Sequence, residues 1–215
     1  MLFPRIGAAL FLCIAPALHA GVVVPNTSQV VVSVRDQKLM LVQNGTKVAT
    51  YPVSTSKFGL GDRLGSMATP LGYMQVVRKI GDNFPSGAVF RNRRFTGEIL
   101  KPNAPGRDPI VTRIIWLRGL EMSNARAFGR CIYIHGTPEE RNIGRPASYG
   151  CIRMKSKDVA ALYNRLPLGA VVQIIPDRLP DPRKLTAPSE AIVAAGQETT
   201  PPAKSVQVAY HRPRT

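Results

Sequence analysis

Asn44-Gly45 joins two short runs of β-forming residues, "KLMLVQ" (38–43) and "TKVATYPVS" (46–54). A two-residue hairpin turn needs positive φ at both central positions, and Asn-Gly reaches that geometry at the lowest cost, so this dipeptide is the strongest short hairpin signal a chain can carry. "QVVVSV" (29–34) precedes it across "RDQ", which makes a three-strand antiparallel meander at the start of the folded region. The β pattern resumes in "YMQVVRKI" (73–80), "PIVTRIIWLRGL" (109–120), "RCIYIHG" (130–136) and "GAVVQII" (169–175). One segment breaks it. In "KSKDVAALYNRL" (155–166), Val159, Leu162, Tyr163 and Leu166 recur at helical spacing behind Ser156, a candidate cap. The chain is therefore mainly β with one principal α-helix, and 44% hydrophobic residues give it enough apolar mass for a real core.

The folded unit is bounded by two segments of different texture. Residues 1–20, "MLFPRIGAALFLCIAPALHA", hold one cation, an apolar run and small residues at the end, the layout of a signal peptide cleaved after Ala17 or Ala20 and too short for a membrane span. The mature chain is then exported, with no integral membrane span. From residue 177 prolines recur and no apolar period persists, so 177–215 reads as a disordered tail and 28–176 as the domain. Within it, the glycine-rich stretch 55–72 is loop, and 81–109 has no clear period and reads as a long loop or small excursion.

The formal charge is +16, and loss of Arg5 with the signal leaves +15. Such a balance favours an acidic envelope polymer, whereas export and the lack of aromatic interleaving exclude nucleic acid as the partner.

Chemistry concentrates in "IHGTPEERNIGRPASYGCIRM" (134–154). A free cysteine is mostly thiol at neutral pH, and a histidine within reach turns it into a nucleophile by taking its proton. His135, at a strand end, and Cys151, sixteen positions on, are the candidate pair. Arg145, Arg153 and Lys155 add positive charge nearby in sequence, which favours the thiolate. The carbonyl of Gly136 is placed to orient the imidazole, and the amides of Gly150 and Cys151 are candidate oxyanion donors. Cys131 offers a disulfide as the alternative fate of Cys151. If 130–136 is one strand, however, Cys131 lies about 13 Å from His135, and a Cys151 beside the histidine cannot also bond Cys131. The two readings exclude each other.

At this point "HGT", "IGRPAS" and "GCIRM", with "KDVAALY" behind them, resemble the catalytic core of the YkuD-type L,D-transpeptidases, bacterial enzymes of peptidoglycan. The resemblance extends over "VSVRDQKLMLVQNGTKVATYPVSTS", "TPLGYM" and "TRIIWLRGLEMSN", hence over the whole domain 28–176. It implies an L,D-transpeptidase-like β-sandwich in the periplasm or cell envelope, acting on peptidoglycan stem peptides without metal or organic cofactor. Carried over residue by residue, Cys151 is the nucleophile, His135 the base and Gly136 the orienting carbonyl. Ser148 and Gly150 shape the loop, and Arg153 contacts a substrate carboxylate or the loop's own carbonyls. The family writes Ser-His-Gly-Cys where this chain has Ser148-Tyr149-Gly150-Cys151. Tyr149 can donate a hydrogen bond there but is no base at neutral pH.

The acyl acceptor is an amine of another stem or of an envelope protein. Water as acceptor makes an L,D-carboxypeptidase with the same nucleophile and base. A non-catalytic wall-binding module, held by the positive charge, is the third reading.

Overall fold

The structure, a computed structural model, describes residues 28–185; the signal segment 1–20 and the chain from 186 onward lie outside the described residues. Ten strands form one hydrogen-bonded system: β1 (Ser28–Ser33), β2 (Lys38–Gln43), β3 (Thr46–Pro52), β4 (Gly72–Ile80), β5 (Ala88–Arg91), β6 (Arg94–Ile99), β7 (Ile110–Gly119), β8 (Tyr133–Gly136), β9 (Ile152–Met154) and β10 (Val171–Ile175), with one helix, α1 (Ser156–Arg165). The spatial order is β3-β2-β1-β10-β4-β7-β5-β6, and β8 pairs with β7 and β9. The meander stands, with Asn44 at φ 50° and Gly45 at φ 73° in its turn.

Apolar residues from both ends of this sheet meet in one core: Val30, Leu39 and Leu41 share it with Ile134, Ile152 and Met154. The free edge of β9 is covered by the segment after β3, where Ser54 and Arg153 exchange backbone hydrogen bonds of 2.9 Å in each direction. The sheet thereby folds over as the expected sandwich. Val159, Leu162 and Tyr163 of α1 fill the same core. Full burial of each such side chain is worth about 1.5–3 kcal/mol, which anchors the helix behind β8 and β9.

Four sequence expectations need correction. Ser156 is the first helical residue and not the cap; its amide donates to Glu140 Oε1 at 2.8 Å, so the cap comes from a loop sixteen residues upstream. Residues 81–109 contain the β5–β6 hairpin, pinned by Phe84, Phe90 and Phe95 with ring centroids 4.8–6.3 Å apart. Its strands are too short, and Phe95 too isolated behind Arg93 and Arg94, to show a period. The packed chain also runs past 176: Leu179 and Leu185 lie against Val31, Met40 and Val42, and Asp36 Oδ2 accepts from the Leu179 amide at 2.9 Å. Two leucines six apart among prolines carry no periodic signal, so the boundary drawn at 176 is too early.

The fourth correction concerns Cys131. It is not in a strand, since β8 begins at Tyr133 and Cys131 has φ 58°. The backbone turns there, and its carbonyl comes to 3.4 Å from Cys151 Sγ. The straight strand on which the 13 Å separation rested does not reach Cys131. Both cysteines are free.

Candidate active site

β8 and β9 run parallel with His135 opposite Arg153 and Ile134 opposite Ile152. One position back, the same register sets Tyr133 across from Cys151, at the entry to β9. Since side chains alternate across a strand, Tyr133, His135, Cys151 and Arg153 project to one face and Ile134 and Ile152 to the core. His135 and Cys151 are diagonal neighbours on that face. Sixteen residues of sequence are reduced to one register step.

The imidazole is buried and fixed: His135 Nδ1 lies 2.8 Å from Gly136 O. A carbonyl only accepts, so Nδ1 carries the proton and Nε2 is the bare, proton-accepting nitrogen. Burial, reinforced by the Arg153 charge and opposed by the Gly136 carbonyl, lowers its pKa to about 4. Gly136 itself sits where a side chain cannot, because a Cβ would lie 2.6 Å from Val111 O.

The Cys151 thiol donates to Cys131 O. Burial raises its pKa to about 11 against the pull of the Tyr133 amide, Arg153 and Arg130, which favour the thiolate. The free site therefore holds a neutral thiol and a neutral imidazole. This differs from the thiolate expected from nearby cations, because desolvation outweighs them. Arg145 is exposed, with its guanidinium on Asn142 Oδ1.

The loop before the nucleophile is held rigidly. Ser148 is fully buried; its Oγ donates to Cys151 O at 2.5 Å and accepts from the Gly150 amide at 3.2 Å. That amide, one of the two candidate oxyanion donors, is thus already engaged by Ser148. Gly150 has φ 117°, and a Cβ there would meet Ala68 O at 3.2 Å; Thr69 Oγ1 donates to its carbonyl at 3.0 Å. Arg153 turns to the loop: its guanidinium donates to Ala147 O at 3.1 Å and pairs with Asp108 at 2.5 Å, while Thr137 Oγ1 donates to the other Asp108 oxygen. Tyr149 is 55% exposed. Its hydroxyl accepts from Lys57 Nζ at 3.3 Å, its ring lies 5.5 Å from that of Phe58, and the Arg153 guanidinium sits over it at 5.5 Å.

Residues 27–174 match the model of the L,D-transpeptidase catalytic domain, YkuD. The chain belongs to the L,D-transpeptidase family. YqjB of Bacillus subtilis (strain 168), whose name places it in the same family, is 28% identical over 170 residues, covering 79% of this chain and 84% of YqjB. The L,D-transpeptidase-named YbiS of Escherichia coli (strain K12) is 26% identical over 170 residues, covering 76% of this chain and 47% of its own length. Among solved structures, an L,D-transpeptidase from Mycobacterium smegmatis matches with a TM-score of 0.46 and 17% identity, over 70% of this chain and 59% of that one. This chain thus spans about half of YbiS.

Sequence reasoning missed three residues that line or brace this face. Asp108 lay in a stretch without period, Arg93 in the unrecognised hairpin, and Tyr133 read only as a strand residue. Arg130, next to Cys131, forms a buried ion pair with Asp62 at 2.8 Å and donates to Ala68 O at 2.7 Å. It ties the 55–72 loop to the wall of the site.

Proposed function

We propose that this chain is an exported L,D-transpeptidase that acts on peptidoglycan stem peptides through a Cys151 acyl-enzyme. The observation that carries the reading is the register of β8 on β9, which puts a buried, tautomer-locked His135 diagonal to Cys151.

Attack on the donor's acyl carbonyl forms the sulfur–carbon bond as the thiol proton passes to His135 Nε2. A low imidazole pKa and a high thiol pKa make a resting ion pair unfavourable, so proton transfer accompanies attack. The Cys151 amide is the backbone donor assigned to the oxyanion, because the Gly150 amide already serves Ser148. Collapse expels the terminal residue's amine with the proton from His135. The imidazole then takes a proton from the incoming amine of a second stem, or of an envelope protein, the C–S bond breaks as the new amide forms, and the imidazolium returns the proton to the Cys151 sulfur. Arg153 keeps the loop in place by binding Ala147 O and Asp108.

Intact-mass analysis of the protein incubated with a disaccharide-tetrapeptide, or with a carbapenem, tests this. The expected result is an adduct on wild type and none on Cys151→Ala, with cross-linked dimers among the products. Adduct persisting on Cys151→Ala overturns the nucleophile, and tripeptide monomers as the sole product overturn the amine acceptor in favour of water.

A further inference from the structure

Three guanidinium groups lie around the Cys151 cluster; Arg130 is paired with Asp62, and among the described residues Arg93 has no carboxylate partner. Arg153, at the His135 end, is paired with Asp108 and Ala147 O. Arg93, at the other end, comes from the tip of the β5–β6 hairpin. Its Nη1 lies 3.3 Å from Tyr133 Oη and 3.7 Å from Cys131 Sγ, and its guanidinium sits over the Trp116 ring at 5.0 Å. Cys131 in turn receives the Cys151 thiol through its carbonyl. Among the described residues no carboxylate pairs with Arg93. The charge is exposed, reaches Cys131 and Tyr133, the neighbours of Cys151, and is held by an aromatic face and a phenol.

The backbone under it is unusual. Asn92 and Arg93 have φ of 51° and 65°, the two central residues of a two-residue hairpin between Arg91 and Arg94. A turn of this kind favours Asn-Gly, and an arginine in the left-handed region costs roughly 1–2 kcal/mol. The first turn of this chain, Asn44-Gly45, uses the cheaper residue. The hairpin thus tolerates strain at a position whose side chain reaches Cys131 Sγ and Tyr133 Oη. Trp116, stacked on Phe128 at 4.4 Å and edge-on to Tyr133 at 5.4 Å, provides a rigid floor for it.

We infer that Arg93 and the Tyr133 hydroxyl form a carboxylate-binding subsite beside Cys151, which holds a free carboxylate of the acyl donor. This rests on the acyl-transfer reading above and deepens it. A planar guanidinium matches a carboxylate with two parallel donors, and the phenol, which burial keeps protonated, supplies another. A tetrapeptide donor offers two such groups, a side-chain carboxylate on its third residue and the terminal carboxylate of the residue that leaves.

Binding to the full chain carrying Cys151→Ala, which cannot turn the peptide over, tests the subsite apart from the reaction. Three tetrapeptides are titrated calorimetrically: the free acid, the side-chain carboxamide and the C-terminal carboxamide. The free acid is expected to bind roughly tenfold more tightly than one carboxamide, the scale of a charge-assisted hydrogen bond, and which carboxamide is weakened identifies the carboxylate. Adding Arg93→Gly is expected to erase that difference while keeping or improving thermal stability, since it creates an Asn-Gly turn, and Arg93→Lys to retain part of it. A ratio unchanged by Arg93→Gly, or equal binding of all three peptides, overturns the inference. Failure of the transpeptidase reading is seen separately, as wild-type protein that forms no adduct by mass.

Discussion

The Cys151 thiol donates to the Cys131 carbonyl at 3.4 Å. The nucleophile proposed for this site therefore rests as a protonated, hydrogen-bonded thiol in a desolvated pocket, held ready but not ionised.

Alkylation of the free protein by iodoacetamide should accordingly stay slow at pH 7–9 and rise toward a midpoint near 11, the value to which burial raises Cys151. A midpoint below 8 contradicts the protonated resting state. The sign for stability follows. The folded thiol keeps its proton to higher pH than the unfolded one, so stability is lost as pH rises from about 9 to about 11, by about 3 kcal/mol at 1.36 kcal/mol per unit. Cys151→Ala removes that slope in urea titrations.

His135 gives the mirror case. Its folded pKa is lowered from 6.5 to about 4, so the unfolded chain takes up the proton first as pH falls. The contribution is fully present above 6.5 and lost on acidification toward 4, again about 3 kcal/mol. Side-chain NMR should show His135 still neutral, with the proton on Nδ1, at pH 5.5. A titration midpoint near 6.5 there refutes the buried, neutral base.

Asp108→Ala leaves the Arg153 guanidinium, 7% exposed, without its acid. Breaking one side of a buried pair costs about 3–5 kcal/mol, visible as a fall in urea midpoint. Asp108→Leu combined with Arg153→Met should recover most of it, since no uncompensated charge remains. A double variant as unstable as the single one shows that the pair does more than balance itself.

Gly136→Ala forces a methyl to within 2.6 Å of Val111 O, between β8 and β7. The backbone must move, at about 1–3 kcal/mol, and the carbonyl that orients His135 moves with it. Denaturation combined with acylation rate checks this: both should fall, and wild-type values for both exclude the clash.

Tyr149→Phe is expected to change little. The hydroxyl is directed at Lys57 and the ring is 55% exposed, so stability should shift by less than about 0.5 kcal/mol and the rate of Cys151 acylation should hold within about twofold. A loss of the order of a hundredfold, the scale of a missing oxyanion donor, assigns the hydroxyl to catalysis.

Much of this architecture is local and therefore legible. Asn44-Gly45 announces its hairpin because turn chemistry acts over two residues, and Val159, Leu162 and Tyr163 announce α1 because helical spacing acts over four. The candidate site around His135 and Cys151 is legible through "HGT", "IGRPAS" and "GCIRM", a short run that resembles the family's core. The β5–β6 hairpin was hidden because its turn uses Arg93 where a glycine is the ordinary signal.

Residue types and turn chemistry determined by themselves the meander and the helix, set by interactions within a few residues, and the motif that resembles the family named the candidate pair His135 and Cys151. Only the tertiary structure decided that Cys131 turns back onto Cys151, that Asp108 takes up Arg153 and that Arg93 stands over Trp116, unpaired with any acid among the described residues. These are contacts between segments 20 to 45 residues apart, arranged by strand register and burial. The ionisation of the site belongs with them, because the desolvation that keeps Cys151 and His135 neutral exists only once β7, β8, β9 and the hairpin have closed around them.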